Sequence, residues 1–409
     1  MRGAIIGIDI GTTRVTTVVA RPEKDGKFRV IGVGSSPSAG VRRGAVVDAE
    51  AASLALRRSV HEASRSSGVP VRSALVAIGG PHLGAFSIRG TVAVSRADGE
   101  VTEDDVRRVV YAAEGLIPRN PNREVIHVIP RQFRVDGEGG LTDPVGMVGM
   151  KLDVEALVID SVKPALSNLI KCCELVGIEI EDWVSSTLAA SEVLLTPKQK
   201  ELGVMLLDLG AGTSDFAVFE EGQVLDVGSF PIGGSHITSD IAIGFRTQVA
   251  AAEAIKVRHA AALAEAARGG RREAIRLADF SPAAGEEAFL VRDLTDIVAA
   301  RLTDIFELAV KALKKVGRNG LLPGGVVLAG GVADIPGIQE LARRELALPV
   351  EVARGAALEE FADVVPPRLA VPVGLMRWRM RQEGGYRGGS RRFGGLTERL
   401  KRALRAFVP

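Results

Sequence analysis

The chain has 409 residues, and its 52 lysines and arginines nearly balance its 50 aspartates and glutamates, which gives a formal net charge of +2. Apolar residues make up 46% and charged residues 25%, proportions that exclude a disordered or collagen-like chain. The length predicts roughly two to four domains. No apolar run reaches the roughly 18 residues that a transmembrane helix needs, so no such helix is predicted.

The expected compartment is a reducing cytosol. The N-terminal apolar stretch is too short for a signal peptide and has no cleavage site. The only two cysteines, Cys172 and Cys173, are adjacent, which is a poor geometry for a disulfide bond.

Charge is distributed unevenly along the chain. Residues 377–409 contain ten basic and two acidic residues, a net charge of +8, so the preceding 376 residues carry a net charge of −6. This pattern predicts an acidic body followed by a basic tail. The near-neutral total argues only against a strongly charged binding protein, and no nucleic-acid partner is expected.

The first third of the chain predicts strands followed by a helix. Residues 4–20 predict two strands joined by a tight turn at 11–13, because β-branched residues flank a glycine there. Residues 48–67 predict a helix, with Asp48 as its N-cap and Gly68 after its end.

Residues 84–161 have strand and helix content of their own. A helix with acidic residues in its first turn is predicted after Thr102, and strands are predicted at 124–135 and 152–160. We therefore expect a small inserted domain.

Residues 203–219 repeat the first strand–turn–strand unit. Both units contain an aspartate two residues before a glycine, with a threonine shortly after: Asp9 and Gly11 in the first, Asp208 and Gly210 in the second. Glycines let backbone amides approach phosphate oxygens, and aspartates at strand ends can hold the water shell of Mg²⁺. Two facing units would therefore hold a polyphosphate and its cation.

The rest of the chain adds a third glycine turn and helices. A strand at 325–331 ends at Gly330 and Gly331, which would leave room for a nucleoside, and a helix is predicted at 335–345. Residues 236–315 predict mainly helix. Neither a P-loop nor a dinucleotide-binding glycine pattern occurs in the sequence.

The basic tail ends in a predicted amphipathic helix at 395–409, after a glycine- and arginine-rich linker. At 100° per residue its apolar side chains share one face and its basic side chains flank it. A helix of this kind suits an anionic membrane surface, although a single such helix binds only modestly. The apolar face comprises Leu396, Leu400, Leu404 and Phe407, and the basic residues are Arg399, Lys401, Arg402 and Arg405.

The three glycine motifs resemble the phosphate-1, phosphate-2 and adenosine motifs of the actin, sugar-kinase and heat-shock-chaperone ATPase superfamily. Residues 123–149, 231–247 and 320–342 are more specifically similar to the FtsA family of bacterial cell-division proteins, and the resemblance runs in order from about residue 3 to 376. It implies an α/β fold of the duplicated, ribonuclease H-like actin type, with two lobes, an inserted α+β domain called 1C and a C-terminal amphipathic helix.

Carried over motif by motif, the resemblance implies ATP and Mg²⁺ as cofactors. It assigns nucleotide contacts to Gly11, Thr12, Thr13, Arg14, Gly210, Gly212, Thr213, Gly233, Gly234, Glu253, Lys256, Gly330, Gly331 and Ile335. It assigns Mg²⁺, through water, to Asp9, Asp208 and Asp215. Taken alone, Glu253 and Lys256 would be read as a surface ion pair.

Three departures from the motifs bear on activity. Arg14 stands in place of a common lysine, and Ala211 in place of a glycine. Ser186 stands where efficient relatives have a glutamate that orients water, so slow hydrolysis is expected and no catalytic residue is assigned.

The resemblance also implies a domain division and partners. Arg301 and Asp304 match positions near the docking site of the FtsZ C-terminal tail, although an ordinary i,i+3 ion pair explains them equally well. The implied segments are subdomain 1A at 1–83 and 162–196, 1C at 84–161, 2A at 197–235 and 316–378, 2B at 236–315, linker 379–394 and membrane helix 395–409.

The expected function is that of an ATP-binding scaffold. It would polymerise, anchor FtsZ filaments to the cytoplasmic face of the cell membrane at the division site, and recruit later division proteins through 1C. The alternatives are a sugar or small-molecule kinase of the same superfamily, which needs an acidic base that the sequence does not offer, and another actin-like scaffold of the MreB or pilus-assembly type.

Overall fold

The computed structural model describes residues 3–24, 27–267, 273–280 and 287–383. The predicted membrane helix 395–409 and most of the predicted linker lie outside these ranges. The elements of the first lobe that precede the insertion are β1 (Ile5–Ile10), β2 (Arg14–Pro22), β3 (Phe28–Pro37), β4 (Val41–Arg42), β5 (Ala45–Val46), α1 (Ala49–Ser67) and β6 (Ser73–Ile78).

The inserted unit and the return to the first lobe follow directly. The insertion consists of β7 (Leu83–Ala93), α2 (Glu103–Gly115), β8 (Arg123–Val135), β9 (Glu138–Leu141) and β10 (Lys151–Val162). The first lobe then continues with α3 (Lys163–Val176), β11 (Glu179–Ser185) and α4 (Ser186–Leu194).

The second lobe and the C-terminal helix complete the described chain. They are formed by α5 (Pro197–Leu202), β12 (Val204–Leu209), β13 (Ser214–Glu220), β14 (Gln223–Phe230), α6 (Gly234–Gly244), α7 (Val249–His259), β15 (Ala274–Arg276), β16 (Ala288–Leu290), α8 (Val291–Lys315), β17 (Val326–Ala329), α9 (Ile338–Leu346), β18 (Val350–Val352) and α10 (Ala370–Glu383).

The two lobes have the same sheet topology. The first sheet has the order β11-β6-β1-β2-β3, and the second has the order β14-β13-β12-β17-β18. In each sheet the opening strand pairs antiparallel with the next strand of its hairpin and parallel with a later strand. The predicted duplication is therefore confirmed: one folding unit occurs twice.

Helix ends follow the local signals in the sequence. Asp48 accepts hydrogen bonds from the backbone amides of Glu50 and Ala51 at 3.1 and 3.0 Å, and Gly68 ends α1 in the left-handed conformation. Thr102 begins α2 with a reciprocal capping box to Asp105. Both predicted helix starts are confirmed, because they depend on neighbours in the chain.

The inserted unit is a four-stranded antiparallel sheet with the order β7-β10-β8-β9, covered on one face by α2. It also contacts the second lobe, because Arg131 on β8 donates to the carbonyl of Leu225 in β14 at 2.8 Å. The insertion is thus tied to both lobes.

The C-terminal helix corrects the predicted domain division. Residues 370–378 were expected in the second lobe, and the linker was expected from residue 379, yet α10 runs without a break to residue 383. Its residues Val373, Leu375 and Met376 are buried, and the helix packs on β1, β6 and α4 of the first lobe. Apolar spacing cannot say which of two cores a helix covers.

The segment between α7 and α8 also differs from the prediction of mainly helix. Strands β15 and β16 pair there as a short antiparallel ribbon. Strands of three residues carry too few alternating side chains to produce a period-2 signal.

One buried histidine gives a pH prediction. Burial lowers the pKa of His127, on β8, from 6.5 to about 4, and its ring lies 5.3 Å from that of Trp378 on α10. Between these two pH values the unfolded chain takes up a proton that the folded chain refuses, so stability is lost as the pH falls below 6.5. Between pH 6.5 and 5, we expect the free energy of unfolding of the wild type to fall by about 2 kcal/mol more than that of His127→Gln.

Urea unfolding at the two pH values measures this difference. His61→Gln, an exposed histidine on α1, is the control and should keep the wild-type dependence. Identical pH slopes for His127→Gln and the wild type would contradict the prediction.

Candidate functional site

The two strand–turn–strand units face each other across the cleft between the lobes. The amide of Gly11 donates to the carbonyl of Arg14 at 3.0 Å, and the amide of Gly210 donates to that of Thr213 at 2.9 Å, so the turns have the same geometry. A Cβ on Gly212 would lie 2.7 Å from Oγ1 of Thr12. The structure therefore brings the two predicted phosphate loops together.

Three aspartates meet where these loops begin. Asp9 and Asp208 are the next-to-last residues of β1 and β12. Asp215, on β13, pairs directly with Asp208. Burial, followed by the charges of Asp208 and Asp215, raises the pKa of Asp9 to about 7. Burial alone raises the pKa of Asp208 to about 6, and burial is also the main cause that raises the pKa of Asp215 to about 7. A cation would relieve this repulsion.

Unpartnered polar atoms lie beside the carboxylates. Oδ1 of Asp215 and Oγ of Ser186 are buried without a hydrogen-bond partner. A Cβ on Gly79 would lie 2.6 Å from Oγ of Ser186 and 3.3 Å from Oδ2 of Asp215, which places both groups at one point. Buried polar groups need partners, so these atoms fit a hydrated ion and a phosphate.

A Mg²⁺ ion at this site would be held through its water ligands. In the described part of the chain, no group of three or more histidine, cysteine, aspartate or glutamate side chains lies close enough together to hold a metal ion. Mg²⁺ commonly keeps several water ligands, and the aspartates fit it through such waters.

Glycines allow the next loop to approach the second phosphate loop. A Cβ on Gly233 would lie 2.5 Å from the carbonyl oxygen of Gly210. The amide of Gly234, at the start of α6, donates to the same oxygen at 2.9 Å. The N-terminus of α6 thus points toward the loop, a position that favours an anion.

Glu253 and Lys256 form more than the surface pair that their spacing alone indicates. Nζ of Lys256 donates to Oε2 of Glu253 at 2.7 Å, to Oγ1 of Thr238 at 2.8 Å and to the carbonyl of Gly234 at 3.1 Å. These bonds fix α7 against the N-terminus of α6. The two predicted residues are therefore next to the glycine loop.

The third glycine motif closes the site on the side of the second lobe. Gly330 has φ +83°, and a Cβ there would lie 2.4 Å from Oδ1 of Asp208, so only glycine fits. A Cβ on Gly331 would meet no atom within 4 Å, which leaves the open space expected beside a nucleoside. Ile335 is partly buried after the short 3₁₀ turn Gly331–Asp334.

The structure adds residues that the motifs do not name. The amide of Gly44, in the β4–β5 turn, donates to Oγ1 of Thr12 at 3.2 Å, and Arg43 lies against Gly212. Nδ1 of His236 accepts from the amide of Gly233 at 3.1 Å. Gly79, which lies beside Ser186 and Asp215, is also absent from the motifs. The glycine pair at 79–80, directly after β6, was the one sequence signal for these additional residues. The contacts of Gly44, Arg43 and His236 depend on tertiary structure.

Two of the remaining predicted residues point outward. Thr13 and Arg14 are exposed, and the guanidinium of Arg14 donates to Oγ of Ser35 at 2.9 Å. The phosphate contact assigned to Arg14 stays a prediction.

The predicted FtsZ surface contains an additional acidic residue. Arg301, on α8, makes two hydrogen bonds to Asp240 on α6, at 2.6 and 2.9 Å, and one to Asp304 at 2.9 Å. The i,i+3 pair thus exists, but the closer partner is Asp240, which is 61 residues away in the chain.

The predicted membrane residues, from Leu396 to Phe407, lie outside the described residues. Within the described ranges, no helix has the length and apolar character needed to span a bilayer.

Comparisons with solved structures identify the fold. A chain titled "PilM-PilN type IV pilus biogenesis complex" aligns with a TM-score of 0.65 at 17% identity, over 91% of this chain and 98% of the other. The ADP-bound MreB5 of Spiroplasma citri aligns with a TM-score of 0.54 at 14% identity, over 93% and 97%. The fold is therefore the actin-like two-lobed fold.

Sequence comparisons identify the family. A model described as "Cell division protein FtsA" matches residues 205–374, and one described as "SHS2 domain inserted in FTSA" matches residues 80–160. FtsA of Pseudomonas aeruginosa is 34% identical over 93% of this chain and 90% of its own length, and FtsA of Bacillus subtilis is 35% identical over 92% and 83%. With this similarity along nearly its whole length, the chain belongs to the FtsA family of cell-division proteins.

Proposed function

We propose that the protein binds ATP with Mg²⁺ between its lobes, polymerises, and attaches FtsZ filaments to the cytoplasmic face of the cell membrane. The observation that carries the nucleotide part is the convergence of Asp9, Asp208 and Asp215 beside two facing glycine loops. Each lobe contributes one loop and at least one carboxylate. A bound nucleotide would therefore contact both lobes and stabilise their closed arrangement.

The residues of the chain divide the binding task. The amides of the loops that begin at Gly11 and Gly210 would hold phosphate oxygens, and the aspartates would hold the water shell of Mg²⁺. Mg²⁺ supplies neutralisation of phosphate charge when bound. Glu253 and Lys256 would face the ribose and adenine, because they flank the same loop as Gly234.

Binding rather than turnover is the expected role of the nucleotide. Ser186, at the position that faces Asp215, offers a hydroxyl and no carboxylate to activate water. Hydrolysis would be slow, and ATP would serve mainly to favour the polymerising conformation.

Two surfaces support the proposed partners. The cluster of Arg301, Asp240 and Asp304 lies beside Ile243, whose side chain is 76% exposed, and the FtsZ tail would bind there. The inserted domain exposes Val148 and Met150 and contains an open cavity of about 500 Å³, and later division proteins would contact it. We retain the remaining boundaries of subdomains 1A, 1C, 2A and 2B as part of this proposal.

Flotation with liposomes tests the membrane and FtsZ parts. We expect the full chain to float with anionic vesicles and to carry FtsZ with it, whereas a 1–390 truncation stays in the load fraction. Equal flotation of the truncation would refute the tail anchor. Neutral vesicles are the control for the lipid charge.

Charge reversal at the α8 surface separates the two parts. Arg301→Glu should float with the vesicles but without FtsZ. Arg344→Glu, an exposed arginine on α9 that pairs with Glu340, is the matched control and should still carry FtsZ. If Arg301→Glu carries FtsZ as well as the wild type does, the docking surface is wrong.

A further inference from the structure

The chain crosses between the lobes twice, and the two crossings come together at one glutamate. Residues 195–196 lead from α4 in the first lobe to α5 in the second, and residues 353–369 lead back from β18 to α10. Helices α4 and α10 pack side by side, so closely that a Cβ on Gly374 would lie 1.9 Å from the carbonyl oxygen of Ala189. Glu192 lies on α4, just before the first crossing.

The carboxylate of Glu192 is buried among cations from α5, which follows the first crossing, and from α10, which follows the second. Its side chain is 7% exposed, and its Oε1 accepts from Nζ of Lys200, on α5, at 2.8 Å. Oε2 lies 2.7 Å from Arg381, on α10. Arg377, also on α10, donates to the backbone carbonyl of Glu192 and pairs with Glu360, in the second crossing, at 3.1 Å.

The charged residues around Glu192 form a buried cluster, which constrains their relative positions more than a surface ion pair would. Lys200 is itself buried and lies 4.8 Å from the ring centre of Phe219, on β13 of the second lobe. Burial opposes the ionised form of Glu192, but Lys200, Arg381 and Arg377 outweigh it and lower the pKa of the carboxyl. Breaking a buried pair on one side leaves uncompensated charge, so the members hold one relative position.

The other end of α4 begins at the nucleotide site. Ser186 is the first residue of the helix and faces Asp215, while Glu192 lies less than two turns further along. Across the same cleft, Asp9 of the first lobe faces the charges of Asp208 and Asp215 of the second. A cation and a polyphosphate would draw the lobes together, and α5 would then move relative to α4.

We propose that Glu192 is an interlobe latch that transmits closure of the nucleotide cleft to α10. Lys200 moves with the second lobe and displaces the Glu192 carboxylate to which it is paired. Arg377 and Arg381 bond to Glu192, so α10 moves with that residue. Because residues 384–409 come directly after α10 in the chain, the latch sets the point from which the basic tail begins. The latch rests on the proposed binding of ATP.

Trp378 offers a direct readout, because it lies on α10 against His127 of the inserted domain. In a Trp183→Phe background it is the only tryptophan of the chain. We expect Mg²⁺-ATP to change the emission of Trp378 in the full-length protein, and we expect Lys200→Gln and Glu192→Gln to lose that change. Binding of a fluorescent ATP analogue is measured in parallel.

Two controls keep the test specific. Glu181→Gln removes a carboxylate on β11 that pairs with Arg379 of α10 inside the first lobe, and it should keep the ATP-dependent change. Lys200→Gln leaves the Glu192 carboxylate paired with Arg381, so it tests the latch even if Glu192→Gln does not fold.

The outcomes separate the latch from the nucleotide site. If the wild type binds ATP without a change at Trp378, or if Lys200→Gln binds ATP and keeps the full change, the latch is wrong and the nucleotide site stands. If the wild type does not bind ATP, the proposed function fails and the coupling fails with it.

Discussion

Asp208→Asn is expected to stabilise the nucleotide-free protein and to remove most of its stabilisation by Mg²⁺-ATP. Asp208 is the one carboxylate whose charge raises the pKa of both Asp9 and Asp215. Neutralising it relieves repulsion in the empty cleft, a gain of about 1 kcal/mol or roughly 1 °C in Tm. The same change removes a carboxylate that orients the water shell of Mg²⁺, and losses of this kind weaken metal binding about 10- to 100-fold.

Thermal unfolding with and without Mg²⁺-ATP at pH 8 measures both effects, since all three carboxyls are then largely ionised. A 100-fold loss of affinity removes up to about 2.7 kcal/mol of ligand stabilisation. Glu340→Gln, a partly exposed glutamate on α9, is the control and should match the wild type in both conditions. If Asp208→Asn keeps the full shift with Mg²⁺-ATP, the aspartates do not hold the cation.

Gly374→Ala is expected to destabilise the protein by roughly 3 kcal/mol, the upper range for overpacked cores. Added at this position of α10, a methyl group would lie 1.9 Å from the backbone carbonyl oxygen of Ala189 on α4, and backbone atoms cannot rotate away. The two helices would have to separate at the centre of the first core.

Urea unfolding measures this change, and Gly115→Ala is the matched control. Gly115 ends α2, and a Cβ there would meet no atom within 4 Å. In that open position alanine should be neutral or stabilise by up to about 1 kcal/mol, because it restricts the unfolded chain. Equal stability of the two variants would show that α10 does not pack on α4 as described.

Much of the fold could be predicted, because its signals are local. The Asp-x-Gly units around Asp9 and Asp208 predicted two equivalent hairpins, and both form with the same turn hydrogen bonds. The caps at Asp48 and Thr102 predicted the starts of α1 and α2. In each case the groups that bond are within a few residues of each other.

The structure brings the predicted loops together, and their binding of nucleotide stays a prediction. Motif resemblance placed Gly11, Gly210 and Gly330 around one cleft, and they meet there. It did not place Gly44 against Thr12 or Asp240 against Arg301, since those contacts join segments that are far apart in the chain.

The amino-acid sequence was sufficient to establish an acidic body, a basic tail, a duplicated hairpin and the family, because counts, spacing and motif order do not depend on how the chain folds. Tertiary structure decided that α10 covers the first lobe and that Glu192 meets Lys200, Arg377 and Arg381. Those outcomes depend on which surfaces pack against each other and become buried. In the sequence, the four charged residues look like ordinary exposed residues of helices.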